Sequence, residues 1–130
     1  MFEYVDSKEL KEIGLAVLGK NNVKIEYSNI VIDALLWASL RGVDSHGIRL
    51  LPHYVEGIKK GRLNINPNIT FQKKSPSMGV IDADNTFGHY ACFKAMNKCV
   101  DIAKETGIGA VSVKNSSHCG ALTYYGHIAA

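Results

Sequence analysis

The hydrophobic period of this chain changes once, at the turn-rich connector Asn64-Ile-Asn-Pro-Asn68. Before it, apolar residues recur at the three- and four-residue spacing of helices. After it, short strand-like runs alternate with helical ones. Helix, strand and helix in that order open an α/β layer, so the pattern predicts a helical segment over 1–68 and the start of an α/β domain over 69–130.

The elements follow from local signals. Asp6 with Glu9 three residues later reads as a capping box, followed by Leu10, Ile13, Leu15, Ala16 and Leu18, with Gly19 as the stop. A second helix is expected from Val23 to Arg41, on Ile30, Val31, Ala34, Leu35 and Ala38, ended by Gly42. Leu51, Tyr54, Val55 and Ile58 form a third stripe closed by Gly61, with Pro52 tolerable only in its first turn. Ile69–Phe71 and Gly79–Ile81 are expected strands around a turn at Lys73-Lys74-Ser75-Pro76. Gly88 to Thr106 reads as a long helix ended by Gly107, Ile108 to Val113 as a buried strand, and Gly120 as the opening of a last helix. That helix is still running at Ala130 with no cap and no polar tail. The missing strands and uncovered helical faces predict the N-terminal part of a longer, incomplete α/β enzyme.

Composition narrows the partners. Fifteen Lys plus Arg against twelve Asp plus Glu leave a formal net charge of +3, spread without a basic block, so nothing calls for nucleic acid. No apolar run reaches the roughly 18 residues of a membrane helix. Met1-Phe-Glu-Tyr-Val-Asp6 carries acids and lacks the basic-then-apolar pattern of a signal peptide. Three cysteines are an odd number, and Cys92 and Cys99 on one helix lie about 10 Å apart, too far to bridge. A reduced, cytoplasmic setting is expected.

Two histidines occupy near-identical settings. Asp44-Ser45-His46-Gly47 follows an apolar helical stretch, and Asn115-Ser116-Ser117-His118-Cys119-Gly120 follows an apolar strand-like one. Each imidazole stands among small polar residues at the junction of two elements, where side chains face clefts and flanking elements position them. Histidine also exchanges its proton most readily near neutral pH. The pair points to acid–base chemistry on a small molecule.

Arg41-Gly-Val-Asp-Ser-His-Gly47, Pro52, Tyr54, Gly61 and Asn66-Pro67 resemble the N-terminal signature of one oxidoreductase family. So do Asp82-Ala-Asp84 with Gly88, Ala103-Lys-Glu-Thr-Gly-Ile-Gly109, and Asn115-Ser-Ser-His-Cys-Gly120. This is the malate/L-lactate dehydrogenase family without a Rossmann fold, which includes ureidoglycolate dehydrogenase, sulfolactate dehydrogenase and diketogulonate reductase. The resemblance runs from about Asp6 to Ala130. It implies hydride transfer between NAD or NADP and a 2-hydroxy/2-keto acid pair such as malate, lactate or ureidoglycolate, in a homodimer. It also implies that most of the cofactor surface lies beyond Ala130, so that the isolated chain is inactive. No G-x-G-x-x-G fingerprint follows a strand here, and Gly107-Ile-Gly109 precedes one.

The roles carried by the resemblance make chemical sense. Reducing a 2-keto acid creates an alkoxide that must be protonated, and a histidine is a suitable donor. His118 matches the family histidine in that role. His46 matches the other active-site histidine, as substrate ligand or as the donor itself. Tyr54 and the neighbouring Ser45 are expected near the substrate. A cation is needed for its carboxylate. In the relatives an arginine lies four residues after the first histidine; here that position is Leu50, and Arg49 lies at three. One residue on a helix turns a side chain by about 100°. Arg49 is the expected clamp despite the shift.

Plainer readings stand beside these. His46 and His118 could be turn residues capping the next helix. Asp44 reads as a turn or N-cap residue, Ser45 and Ser117 as capping hydroxyls. His53, His89 and His127 fall on helical stretches and are expected to be solvated or partly buried. Trp37, Met78 and Met96 are expected in the core. Cys119 beside His118 is a weak thiol-nucleophile signal, because catalytic Cys–His pairs meet in space from distant positions. A zinc site on Asp44, His46 and His118 suits the ligand types and matches no compact spacing, so no metal is expected. Two rival functions follow: a non-catalytic oligomerisation or binding module, and a metal-dependent hydrolase using His46 and His118. Cofactor binding separates the dehydrogenase from the module, and metal content separates the hydrolase from both.

Overall fold

The computed structural model describes residues 4–130. The start of the acidic N-terminal stretch, Met1 to Glu3, lies outside the described residues. α1 (Ser7–Lys20) opens on Asp6, whose carboxylate accepts from the N–H groups of Lys8 and Glu9 at 2.8 and 3.2 Å. Two of the unpaired amides of the first turn are satisfied in this way. α1 packs on α2 (Ile25–Ser39), where Val31, Ile32, Leu35 and Ala38 have no exposed surface. The two helices approach at Gly14, where a Cβ would come within 2.7 Å of Ile32 Cδ1. α2 is shorter than the Val23–Arg41 span expected. Lys24 is extended at its start, and Gly42 at φ +72° turns the chain so that Val43 N–H reaches the Ala38 carbonyl at 3.0 Å.

Two short 3-10 turns, Asp44–His46 and Ile48–Leu50, lead into α3 (Leu51–Lys59), with Pro52 in its first turn. The sheet follows the connector. β1 (Thr70–Ser75) pairs antiparallel with β2 (Met78–Asp82), and β2 pairs parallel with β3 (Ala110–Lys114) through α4 (Gly88–Thr106). The order is β1-β2-β3. β1 runs through Lys73 and Lys74, which the sequence pattern places in a turn. It is an edge strand whose exposed positions accept charged side chains. β3 is not the buried strand expected. Ile108 is exposed, and along β3 only Val111 and Val113 are half-buried. A parallel strand is buried on both faces only when both are covered, and β3 is an edge with α4 against one face. α5 (Thr123–Ala129) begins three residues after Gly120, which adopts φ +71°.

One cluster of buried side chains crosses the connector, from Leu18, Val31, Leu35 and Tyr54 to Phe87 and Tyr90. Met78 lies outside it, half exposed on the edge of β2. Trp37 and Met96 are half-buried, and the Arg41 guanidinium lies 3.9 Å over the Trp37 ring. Among the described residues no helix is long and apolar enough to cross a membrane.

Candidate active site

The first histidine is placed by the end of α2. Ser39 of α2 accepts from Ile48 N–H through Oγ at 3.0 Å. Gly47 is buried against the same serine, and its missing Cβ leaves room for Ser39 Oγ. The segment between them closes on itself, with His46 N–H on the Val43 carbonyl and Gly47 N–H on the Asp44 carbonyl. His46 is left half-buried, with Ser45 Oγ 2.9 Å from its Nδ1.

The second histidine is placed by the loop between β2 and α4. Asp84 and Asn85 adopt positive φ, as does Asn115 on the facing segment. Ala83 N–H bonds the Lys114 carbonyl at 3.0 Å and Asn85 N–H the Asn115 carbonyl at 2.7 Å. Ser117 then reaches across to α4, where its Oγ accepts from Gly88 N–H at 3.0 Å. A Cβ at Gly88 would come within 2.5 Å of the His118 carbonyl oxygen, so only glycine lets the helix start this close. Asp82 braces the turn: its carboxylate accepts from Asn115 Nδ2 at 3.0 and 3.1 Å and pairs with Lys114 at 3.0 Å. The Asn115 and Lys114 bonds hold that carboxyl below its ordinary pKa.

These two frameworks bring the imidazoles of His46 and His118 together, ring centroids 5.5 Å apart and tilted by 31°. Tyr54 joins them from α3. Its ring is 2% exposed, and its hydroxyl lies 2.8 Å from His118 Nδ1. Burial, then the Cys119 thiol, push the Tyr54 pKa up to about 12, so the phenol keeps its proton at neutral pH. Desolvation, then the imidazoles of His46 and His53, hold His118 below the ordinary histidine value. A cavity of about 130 Å³ opens beside it, lined by His53, Tyr54, Arg62, Ser117 and His118.

The remaining expected residues separate from this cluster or extend it. Ser45 is exposed and in contact with His46. Arg49 is exposed in the second 3-10 turn and is not on the wall of the His118 cavity; Arg62, which the motif reading passed over, is. The Cys119 carbonyl accepts from the Tyr125 hydroxyl at 2.5 Å, and burial pushes the neighbouring Cys92 thiol up to about 12. His53 and His127 are exposed, as expected of solvated helix positions. His89 is not: it is 1% exposed, its ring meets Tyr54 edge-on at 5.1 Å, and burial, then His118, pull its pKa down to about 3. No signal in the sequence separates it from the exposed histidines, because its burial comes from the approach of the α4 start to the His118 segment. Among the described residues no three His, Cys, Asp or Glu side chains converge to hold a metal ion, and Asp44 does not join the two histidines.

Two histidines, a buried tyrosine and a serine cap fall within the span that compares with known proteins. The model of the malate/L-lactate dehydrogenase family matches residues 5–130. The chain belongs to that family. It is 40% identical to the malate dehydrogenase of Pyrococcus abyssi, an alignment covering 100% of this chain and 38% of that protein. It is 38% identical to the L-sulfolactate dehydrogenase of Methanothermobacter thermautotrophicus, over 94% of this chain and 35% of that one. Its fold matches the malate dehydrogenase structure from Pyrococcus horikoshii with a TM-score of 0.91 at 37% identity, covering 98% of this chain and 38% of the other. This malate/L-lactate dehydrogenase family chain thus spans between 35% and 38% of the length of these relatives.

Proposed function

We propose that this chain carries the proton-transfer side of an oxidoreductase that moves a hydride between NAD(P)H and a 2-keto acid. The observation that carries the reading is the meeting of His46, His118 and Tyr54. With Nδ1 of His118 engaged by the Tyr54 hydroxyl, Nε2 is the nitrogen left to exchange a proton with substrate. In the reductive direction it protonates the new alkoxide, and in the oxidative direction it accepts the hydroxyl proton. Its lowered pKa favours the neutral ring at neutral pH, which accepts at Nε2 when its Nδ1–H donates to the Tyr54 oxygen. His46, tethered at Nδ1 to Ser45, turns its other nitrogen to the substrate oxygens.

A 2-keto acid also brings a carboxylate, whose burial without a partner costs several kcal/mol. Arg49 is the proposed clamp, because it is the cation nearest in sequence to His46, three residues on and exposed in the second 3-10 turn. Arg62 on the cavity wall offers a second cation. A homodimer and a cytoplasmic setting belong to the same reading, and the second accords with Cys92, Cys99 and Cys119 being free thiols.

The strand-to-helix junction of β2 and α4 does not fit a nucleotide phosphate. It carries Asp82 and Asp84 in place of a glycine-rich loop, and the Gly88 N–H is taken by Ser117. The test is steady-state oxidation of NADH and NADPH with pyruvate, oxaloacetate and sulfopyruvate, by a family-length enzyme carrying these residues. Turnover of none of these acids with either nucleotide would overturn the reading.

A further inference from the structure

His89 is the most completely enclosed titratable side chain at the site, 1% exposed, with neither ring nitrogen hydrogen-bonded. An unpaired buried donor costs more than an edge-to-face ring contact returns. A polar ring kept at a net cost asks for a reason beyond packing. Its surroundings supply one. On one side the imidazole stands edge-on to Tyr54, at 5.1 Å and 84°. On another it faces His118, at 6.5 Å and 80°. On a third its Nε2 lies where a Cβ of Gly120 would sit, 2.5 Å from that position. His89 is therefore wedged between α3 and the segment from His118 to Gly120, anchored in the first turn of α4. That turn is the one Ser117 caps.

We propose that His89 is a positioning residue: a buried imidazole that braces the Tyr54 ring, so that its hydroxyl stays on His118 Nδ1 and Nε2 of His118 is left for the proton. A flat ring suits the place because the Tyr54 ring also lies nearly parallel to His118, at 6.3 Å and 20°, and His89 meets it edge-on at 5.1 Å. An aliphatic side chain fills the volume without presenting a plane. A phenyl ring reaches further than an imidazole and meets Gly120. A cationic side chain here would repel the protonated form of His118, whereas His89 remains neutral at neutral pH.

The part played by His118 Nε2 rests on the function proposed above, and the bracing does not. The two are separable by experiment. In a ¹⁵N-histidine-labelled family-length enzyme carrying these residues, long-range proton–nitrogen correlation reads the hydrogen-bonded state of His118 Nδ1 directly. Tyr54→Phe removes the partner and defines the unbonded signature. His89→Leu keeps the volume and removes the plane, and His89→Ala removes both. In each variant that keeps the parent's amide spectrum, the His118 Nδ1 signature is expected to move to that of Tyr54→Phe. If a folded His89→Leu or His89→Ala chain kept the parent signature, His89 would be a packing residue and the proposal would fail. If neither folds, the same comparison on His89→Gln decides: an unchanged signature overturns bracing by the imidazole plane, and a shifted one supports it. In a family-length enzyme His89→Leu is expected to lower kcat roughly tenfold to a hundredfold, with KM nearly unchanged. A shifted signature with unchanged kcat would leave the brace standing and show that turnover does not need the Tyr54–His118 bond, while the proton-exchange role itself is read from His118→Ala.

Discussion

The Tyr54 hydroxyl and His118 Nδ1 lie 2.8 Å apart, although 64 positions separate the two residues in the chain. The contact ties α3 to the segment after β3 and chooses which nitrogen of His118 is free. Tyr54→Phe keeps the ring, which also packs on Phe87 at 6.3 Å. It should therefore cost only about 1 kcal/mol of stability by chemical denaturation. In a family-length enzyme it should lower kcat more than it raises KM. A variant with unaltered kcat would show that His118 does not need the hydroxyl.

Removing either imidazole should be more damaging. His118→Ala in a family-length enzyme is expected to lower kcat by roughly 10² or more through loss of general acid catalysis. His46→Ala should lower kcat/KM by a comparable factor. Near wild-type kcat/KM in both variants would sink the two-histidine site. Loss of kcat in His46→Ala, with mainly a raised KM in His118→Ala, would exchange their roles.

The carboxylate clamp has two candidates in different places. Arg49 is exposed in the turn before α3, and Arg62 lines the cavity beside His118. Losing the clamp should raise KM for the acid substrate, and Arg49→Lys should already be harmful because a point charge cannot reproduce the planar fork. Comparing Arg49→Leu with Arg62→Leu assigns the clamp to whichever raises KM. If neither does, no arginine of this pair holds the carboxylate.

Stability should fall on acidification because of His89. Its pKa is about 3 in the folded chain and near 6.5 when unfolded, so the unfolded state binds the extra proton between those values. The stabilisation is fully present above about pH 6.5 and is lost as pH falls toward and through 3, with a slope of at most about 1.4 kcal/mol per pH unit for one proton. Urea unfolding from neutral to acidic pH measures it. His89→Gln should flatten the profile, and an equal slope in that variant would place the effect elsewhere.

Much of this architecture was legible locally. Asp6, Gly42, Gly61 and Gly107 act on their own neighbours through caps and left-handed turns, so helix ends could be read to within a few residues. The two histidine junctions were legible for the same reason: small polar residues beside glycine mark an element boundary wherever they occur. Where the reading erred, the deciding neighbours were distant. β3 is half-exposed because of its place in the sheet, and β1 runs through two lysines because it is an edge. Neither fact is written in the strand itself.

The sequence by itself determined the elements, the family and the two imidazoles. Only the tertiary structure decided that Tyr54 meets His118, that His89 is enclosed behind them and that Arg62 lines the adjoining cavity. Caps, turns and hydrophobic period act over a few residues and leave a mark in the local pattern. Burial, ring contacts and pKa shifts arise from groups that the fold brings together from far apart. An exposed His53 and a buried, neutral His89 therefore look alike until α3, α4 and the segment after β3 are packed around them.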